Sequence, residues 1–261
     1  MITVRLMGGL GNQLWMRAYG LALESRGYEV GFDKSWFDSE DAKKYSFFEY
    51  SLGIFGDLKM GDSQGPIIYE RDNTHYKPIA LHPSDPSTLI GYWQSEYYFA
   101  DIADKVRAAF TFPPLSFRWA ALHKDISSSD SVSVHIRRKG FIDYPDFHGV
   151  LALDYYYTAI EYILAKTGPT RFYVFADADD RSWCRENFPN CSVVEGTNKY
   201  EDIQLMASCK HAVTANSSFS FWGAWLGDNK SDRIVIAPKK MFTDPSLADD
   251  ADMFPKRWRR M

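Results

Sequence analysis

What most narrows the folds open to this chain is a repeated alternation of strand-like and helix-like segments. From residue 131 the order runs SVSVHI, with Val132, Val134 and Ile136 at strand spacing, a helix over about 154–165 stopped by Gly168 and Pro169, and the strand RFYVFA. A helix near 179–187, the short strand SVVE, a helix around 200–209, HAVTA, a helix over 218–226 with Gly227 beyond it, and RIVIA complete the series. The amino-terminal end repeats the theme. ITVRLM reads as a strand and GGLG as a glycine turn, Leu14, Ala18, Leu21 and Ala22 share a helical face that stops at Gly27, and YEVGFD is the next strand. Such β-α-β order predicts parallel sheets covered by helices. Two alternating regions, parted near residues 115–128, predict an α/β chain of two Rossmann-like domains with parallel sheets facing a cleft, residues 1–124 and 125–261. Between Ser35 and Pro86 the pattern is irregular, with GDSQGP and HPSDPS as loop signals. TLIGYW then resumes as a strand, and Ser95 is placed to cap a helix over 96–110 that ends before Pro113 and Pro114.

Composition excludes several classes. At 261 residues, 45% hydrophobic and 25% charged, the chain can bury a sizeable core, so disorder and a stapled mini-protein are ruled out. Lys and Arg number 30 against 34 Asp and Glu, a net charge of −4 that speaks against a general nucleic-acid coat. Cys184, Cys191 and Cys209 form no CxxC pair, so neither a disulfide framework nor a zinc site is indicated. No run reaches the roughly 18 apolar residues that a membrane span needs. The expectation is a soluble, unprocessed, cytoplasmic protein. The tail PKRWRRM sets Lys256, Arg257, Arg259 and Arg260 around Trp258; it reads as a solvated end, or as a peripheral contact with an anionic membrane.

Four constellations could carry chemistry. Gly8, Gly9, Gly11, Asn12 and Gln13 join a strand to a helix start, where backbone N–H groups face an anion, and Asp33 lies downstream as in a dinucleotide site. Leu14 replaces the third glycine of that fingerprint. His135, Arg137, Arg138 and Lys139 close a parallel strand, which is where open α/β sheets bind ligands, and paired guanidinium forks suit a diphosphate. Asn216, Ser217, Ser218 and Ser220 open a helix, where they can cap it or hold a phosphate. Asp177, Asp179 and Asp180 follow RFYVFA as a DxD; oxygen ligands of this kind hold Mn²⁺ or Mg²⁺, and helix capping is the competing reading.

Taken in order, GGLGNQL, GYWQSEYYF, VHIRR, LDYYYTAIEYI, FADADDRSWC and ANSSFSFWGAWL resemble the bacterial α-1,2-fucosyltransferases of glycosyltransferase family 11. The likeness extends to IAPKKMF and FPKRW and so spans nearly the whole chain. It implies a GT-B arrangement, GDP-β-L-fucose as donor, a glycan acceptor, inversion at the anomeric carbon and no required metal or other cofactor. Residue by residue, Arg137 and Arg138 match the arginines of the family's HxRR motif that bind the donor diphosphate, and His135 is its histidine. Ser217 and Ser218 match a phosphate-contacting loop, Asp177 an acid near the guanine, and Asn12 a loop residue that approaches the donor across the cleft.

One departure stands out. The family pattern is HxRRxD, and Gly140 occupies the aspartate's place. An aspartate there would orient the two guanidinium groups or lie near the reacting centre; Asp143, Asp146 and His148 are near enough in sequence to take its place and are the candidates for the general base. Arg137 is expected to stabilise charge on the departing GDP. Three alternatives accompany this reading: a transferase for another GDP-sugar, a nucleotide-sugar or glycan-binding protein that has lost catalysis, and a nicotinamide-dependent oxidoreductase using GLGNQL and Asp33.

Overall fold

A computed structural model describes residues 1–44, 48–70, 75–143, 145–243 and 252–261. Two compact units emerge: Met1–Pro113 with a short piece ending at Met253, and the chain from Pro114 onward with Phe254–Met261. The first contains β1 (Ile2–Arg5), α1 (Leu10–Ser25), β2 (Val30–Asp33), α2 (Glu40–Lys43), β3 (Ile67–Tyr69), β4 (Ser87–Ile90) and α3 (Ala103–Ala109). Its strands form one parallel sheet in the order β2-β1-β4-β3. Consecutive residues Ile2, Thr3 and Val4 are all buried, as a strand covered on both faces requires. α1 starts at Leu10, directly after Gly9 and inside the expected glycine turn, and buries Leu14, Ala18, Leu21 and Ala22 together with Trp15, Met16 and Tyr19. The helix expected over 96–110 is interrupted. Two 3₁₀ turns come first, the earlier one capped by Ser95 Oγ accepting from Tyr97 N, and the chain leaves helical space at Phe99, φ −141°, before α3. β3 is an edge strand inside the stretch read as irregular, of which residues 45–47 and 71–74 lie outside the described residues.

The second unit contains α4 (Phe117–Ser127), β5 (Ser131–Ile136), α5 (Leu153–Thr167), β6 (Arg171–Ala176), α6 (Arg181–Asn187), β7 (Ser192–Val193), α7 (Lys199–Ser208), β8 (His211–Val213), α8 (Ser218–Trp225), β9 (Val235–Ala237) and β10 (Arg259–Arg260). The expected boundary at 124/125 falls inside α4, which packs on α7; the division lies earlier, at Pro113–Pro114. Six parallel strands run in the order β10-β9-β8-β5-β6-β7. Val132, Val134 and Ile136 of β5 and Phe172, Val174 and Ala176 of β6 form a core with Tyr156, Ala159 and Ile163 of α5. Period-two strands thus meet a helix stripe of period 3.6.

The carboxyl-terminal tail corrects a sequence expectation. It is not a free solvated end, because β10 adds to the sheet beside β9. Trp258 is buried, its indole N–H donates to Asp228 at 2.8 Å, and Arg257 Nε donates to the same carboxylate at 2.6 Å. The Arg259 guanidinium lies 4.3 Å from the Tyr162 ring centre. Trp258 is therefore part of the core, while Lys256, Arg257 and Arg259 stay exposed. Among the described residues no helix is long and apolar enough to cross a membrane.

Candidate active site

The order of the six-stranded sheet defines a special edge. From β5 the chain proceeds outward through β6 and β7, whereas β8, β9 and β10 build out on the other side. Loops leaving the carboxyl ends of β5 and β8 therefore diverge and open a crevice, the place where ligands bind in parallel α/β sheets. Arg137, Arg138 and Lys139 follow β5, and Thr214 to Ser217 follow β8 into α8. Two clusters about eighty residues apart in sequence thus share one sheet edge. The contact is direct, with the His135 ring centroid 5.5 Å from that of Phe219 in the first turn of α8.

Each basic residue after β5 meets an acid after β6, its neighbour in the sheet. Arg137 pairs with Asp177, Arg138 with Asp180 at 3.6 Å and Lys139 with Asp179 at 2.7 Å. Asp180 is buried and its carboxylate also accepts the backbone N–H groups of Arg138 (3.2 Å) and Lys139 (2.9 Å). Arg138 lies flat on Trp183, 3.9 Å from the ring centre. Its guanidinium is therefore fixed by a ring and a carboxylate together. Burial pushes the Asp177 carboxyl up, against the pull of Arg137 and with the help of nearby Asp180 and Asp179. The three aspartates that could have been read as a metal site are each committed to a cation; no group of three His, Cys, Asp or Glu that could hold a metal occurs among the described residues.

Several buried polar atoms at this edge have no hydrogen-bond partner among the described residues: His135 Nδ1, Thr214 Oγ1 and Asn216 Oδ1. Such atoms are costly unless something satisfies them. His135 is only 7% exposed and is pushed down to about 3 by burial and by Arg137, so it is neutral. Across the crevice, α8 has no acidic residue in its first turn and Ser217 makes no side-chain cap. Ser220 closes the turn by accepting from Ala215 N at 2.8 Å. Capping thus accounts for none of the Ser217 and Ser218 hydroxyls, which make no hydrogen bond to another described residue. Asn216 has a different task from that expected. Its carboxamide nitrogen donates to the carbonyls of His148 (2.8 Å), Gly149 (3.1 Å) and Met241 (3.3 Å), pinning two loops beside the crevice.

The loop after Arg138 explains the missing aspartate in backbone terms. Gly140 has φ +79°, a left-handed conformation that glycine adopts without strain, and a side chain there would approach the Arg137 guanidinium. The carboxylate that meets Arg138 and the N–H groups of this loop is Asp180, from the neighbouring strand end. Asp143 and Asp146 are exposed. His148 is half-buried in an aromatic stack, 4.2 Å from Phe141 at 7° and in contact with Phe147 and Phe242. Burial and Arg137 push it down to about 4, which makes it a weak base.

In the other unit, sheet order places the carboxyl ends of β1 and β4 side by side. Asn12 sits there at the start of α1, its carbonyl accepting from Gln94 Nε2 at 2.9 Å. Gln13 is used internally: it donates to Gly8 O and Glu49 O and accepts from Ser51 N, each at 2.8 Å. Asp33 is no ribose acceptor. Its carboxylate is taken by Arg5 Nε (2.9 Å), Ser63 (2.7 Å) and Ser35 N (2.8 Å), which removes the main support for a nicotinamide site.

Trp183 and Asp202 were not singled out from sequence, and Asp180 was read there only as part of a DxD or a helix cap. Asp202, on α7, accepts from Thr197 Oγ1 and interacts electrostatically with Asp177 and Arg181; burial pushes it up to about 6. FADADD and the Asn198–Glu201 capping box were the available signals, but pairing partners lie on other strands.

The family model described as Glycosyl transferase family 11 matches residues 70–261. An alpha-1,2-colitosyltransferase of Escherichia coli is 31% identical over 294 aligned positions, covering 100% of this chain and 98% of that protein. A galactoside alpha-(1,2)-fucosyltransferase 2 of Oryctolagus cuniculus is 32% identical over 108 positions, 38% of this chain and 30% of that one. A solved glycosyltransferase of family 9 from Veillonella parvula aligns with a TM-score of 0.48 at 12% identity, over 100% of this chain and 85% of that one. With two parallel-sheet α/β units and a match that covers most of its length, the chain belongs to glycosyltransferase family 11.

Proposed function

We propose that this glycosyltransferase moves L-fucose from GDP-β-L-fucose to a glycan hydroxyl, O2 of galactose, with inversion at the anomeric carbon and without a metal ion. The observation that carries the reading is the convergence of Arg137, Arg138 and the uncapped start of α8 on the β5–β8 crevice, beside buried polar atoms without partners. On this reading the second unit takes the donor. Arg137 and Arg138, with Ser217, Ser218 and the α8 dipole, receive the diphosphate. His135 contributes from below, and Asp177 with neighbouring Asp202 offers acceptors to the N–H groups of the guanine. The first unit, with the irregular stretch 35–86, takes the acceptor.

The chemistry is a direct displacement. The acceptor oxygen attacks the anomeric carbon as the bond to the GDP oxygen breaks, and the leaving diphosphate gathers negative charge against two guanidinium groups and a helix start. The acceptor proton passes to a carboxylate, Asp143 or Asp146, which stand exposed on the loop after Arg138. The pairing of Asp177, Asp179 and Asp180 with cations supports metal-independent transfer.

A second donor is favoured by one observation: the colitosyltransferase relative aligns along the whole chain. Colitose lacks the 3-hydroxyl of fucose, so a pocket that hydrogen-bonds that hydroxyl would discriminate strongly and an apolar one weakly. The test is incubation with GDP-fucose, GDP-colitose, GDP-mannose or GDP-rhamnose and a β-galactoside array, with and without EDTA, followed by mass spectrometry. A fucosylated product at O2, unchanged by EDTA, is expected. Transfer from GDP-colitose alone would replace the donor, and GDP binding with neither transfer nor donor hydrolysis would identify a binding protein.

A further inference from the structure

In the sheet order β9, β8 and β5 are neighbours, so the loops that leave their carboxyl ends rise side by side. Such loops carry backbone carbonyls that no strand can satisfy, and where these are buried a side-chain donor must do so. Asn216, 2% exposed and standing between β8 and α8, is that donor. Its N–H₂ group faces the carbonyls of His148 and Gly149 from the β5 loop, at 2.8 and 3.1 Å, and of Met241 from the β9 loop at 3.3 Å. A second set of contacts joins the outer two loops: Thr243 N donates to Phe147 O at 3.0 Å and Thr243 Oγ1 to Pro145 O at 2.9 Å. The approach is so close that position 149 calls for glycine, with φ +63° and a would-be Cβ 2.3 Å from Thr243 Cγ2.

What this clamp holds is a ring. The imidazole of His148, the residue whose carbonyl Asn216 takes at 2.8 Å, lies flat on Phe141, with centroids 4.2 Å apart and planes at 7°. The Arg137 guanidinium is in turn 5.5 Å from the centre of the Phe141 ring, and it pairs with Asp177. A long arginine side chain keeps one orientation only where neighbours supply it, and an aromatic face is a directional neighbour for a cation. Without the His148 ring, Phe141 loses the surface that sets its tilt. Every contact in this series, from Asn216 through His148 and Phe141 to Arg137, lies within the second unit.

We propose that Asn216 is a positioning residue for Arg137: by holding the His148 and Gly149 carbonyls it fixes the His148–Phe141 stack that orients the Arg137 guanidinium for the diphosphate of the bound nucleotide. The proposal rests on the reading of Arg137 as a diphosphate contact.

Calorimetry with GDP on variants of the full chain tests both, with melting temperatures alongside. Arg137→Ala is expected to weaken GDP about tenfold or more. Asn216→Ala, which strands the loop carbonyls, weakens it about three- to tenfold, with no further loss in the Arg137→Ala background. Asn216→Asp keeps the shape but sets a carboxylate against the three carbonyls, and it weakens GDP more than Asn216→Ala does. His148→Ala removes the ring and weakens GDP as Asn216→Ala does, whereas His148→Phe restores both the stack and the affinity. If Asn216→Ala does not fold, Asn216→Ser, which keeps one donor, takes its place in the same comparison. Wild-type GDP affinity in the folded Asn216 variants together with a weak Arg137→Ala would overturn the role of Asn216 alone. An equal Asn216→Ala loss in the Arg137→Ala background, or equal affinities of His148→Ala and His148→Phe, would also overturn it. Wild-type affinity in Arg137→Ala would instead overturn the reading of Arg137 itself.

Discussion

Removing the Asp180 carboxylate is the perturbation that most directly probes the crevice. Its side chain is buried, accepts two backbone N–H groups at 3.2 and 2.9 Å, and faces the Arg138 guanidinium at 3.6 Å. In Asp180→Ala both N–H groups lose a charged acceptor, and Arg138, which is largely shielded from water, loses its counter-charge. Breaking a buried pair from one side costs about 3–5 kcal/mol, and stranded N–H groups cost about 1–3 kcal/mol each. The two figures describe one event, so about 4 kcal/mol is the expected loss. For a unit of this size that lowers the thermal midpoint by about 10 °C. Asp180→Asn keeps the shape and one acceptor oxygen and should lose roughly half as much. Circular dichroism melting reads the stability, and GDP calorimetry reads the consequence for Arg138, a weakening of about tenfold. An Asp180→Ala midpoint within about 2 °C of wild type would refute the reasoning, since water would then satisfy the loop N–H groups as well as the carboxylate does.

Three further outcomes are expected. Arg137→Ala should lower turnover with GDP-fucose on the order of 10²–10³; a change within about threefold would remove Arg137 from the site. His148→Phe should preserve the stack with Phe141 and relieve acid sensitivity. Because folding lowers the His148 pKa from 6.5 to about 4, its contribution is present above 6.5 and is lost as pH falls toward 4. Urea midpoints should therefore drop less in the variant than in wild type between pH 7 and 5, and retained activity would exclude His148 as the base. Asp202→Asn acts with the opposite sign. Folding raises this carboxyl from 3.8 to about 6, so its contribution is full below 3.8 and is lost as pH rises through 6. The variant should gain on wild type at pH 7 and show no gain at pH 4 in urea titrations; a gain of the same size at both would contradict the burial argument.

The sequence by itself determined the α/β class and the strand series of the second half. Apolar runs such as SVSVHI and RFYVFA leave little choice of partner when both faces of each strand must be covered. It also determined that Arg137, Arg138, Ser217 and Ser218 stand at strand ends, whatever the strand order. Tertiary structure decided the rest. Strand order put β5 beside β8 and so brought two distant clusters to one sheet edge; the same order set DADD against RRK as three ion pairs. It drew the basic tail into the sheet as β10, and it freed Ser217 while giving Asn216 to the loops. Local periodicity reports how a segment is buried. Which segment lies next to it depends on contacts between residues far apart in the chain, and those leave no periodic trace in the sequence.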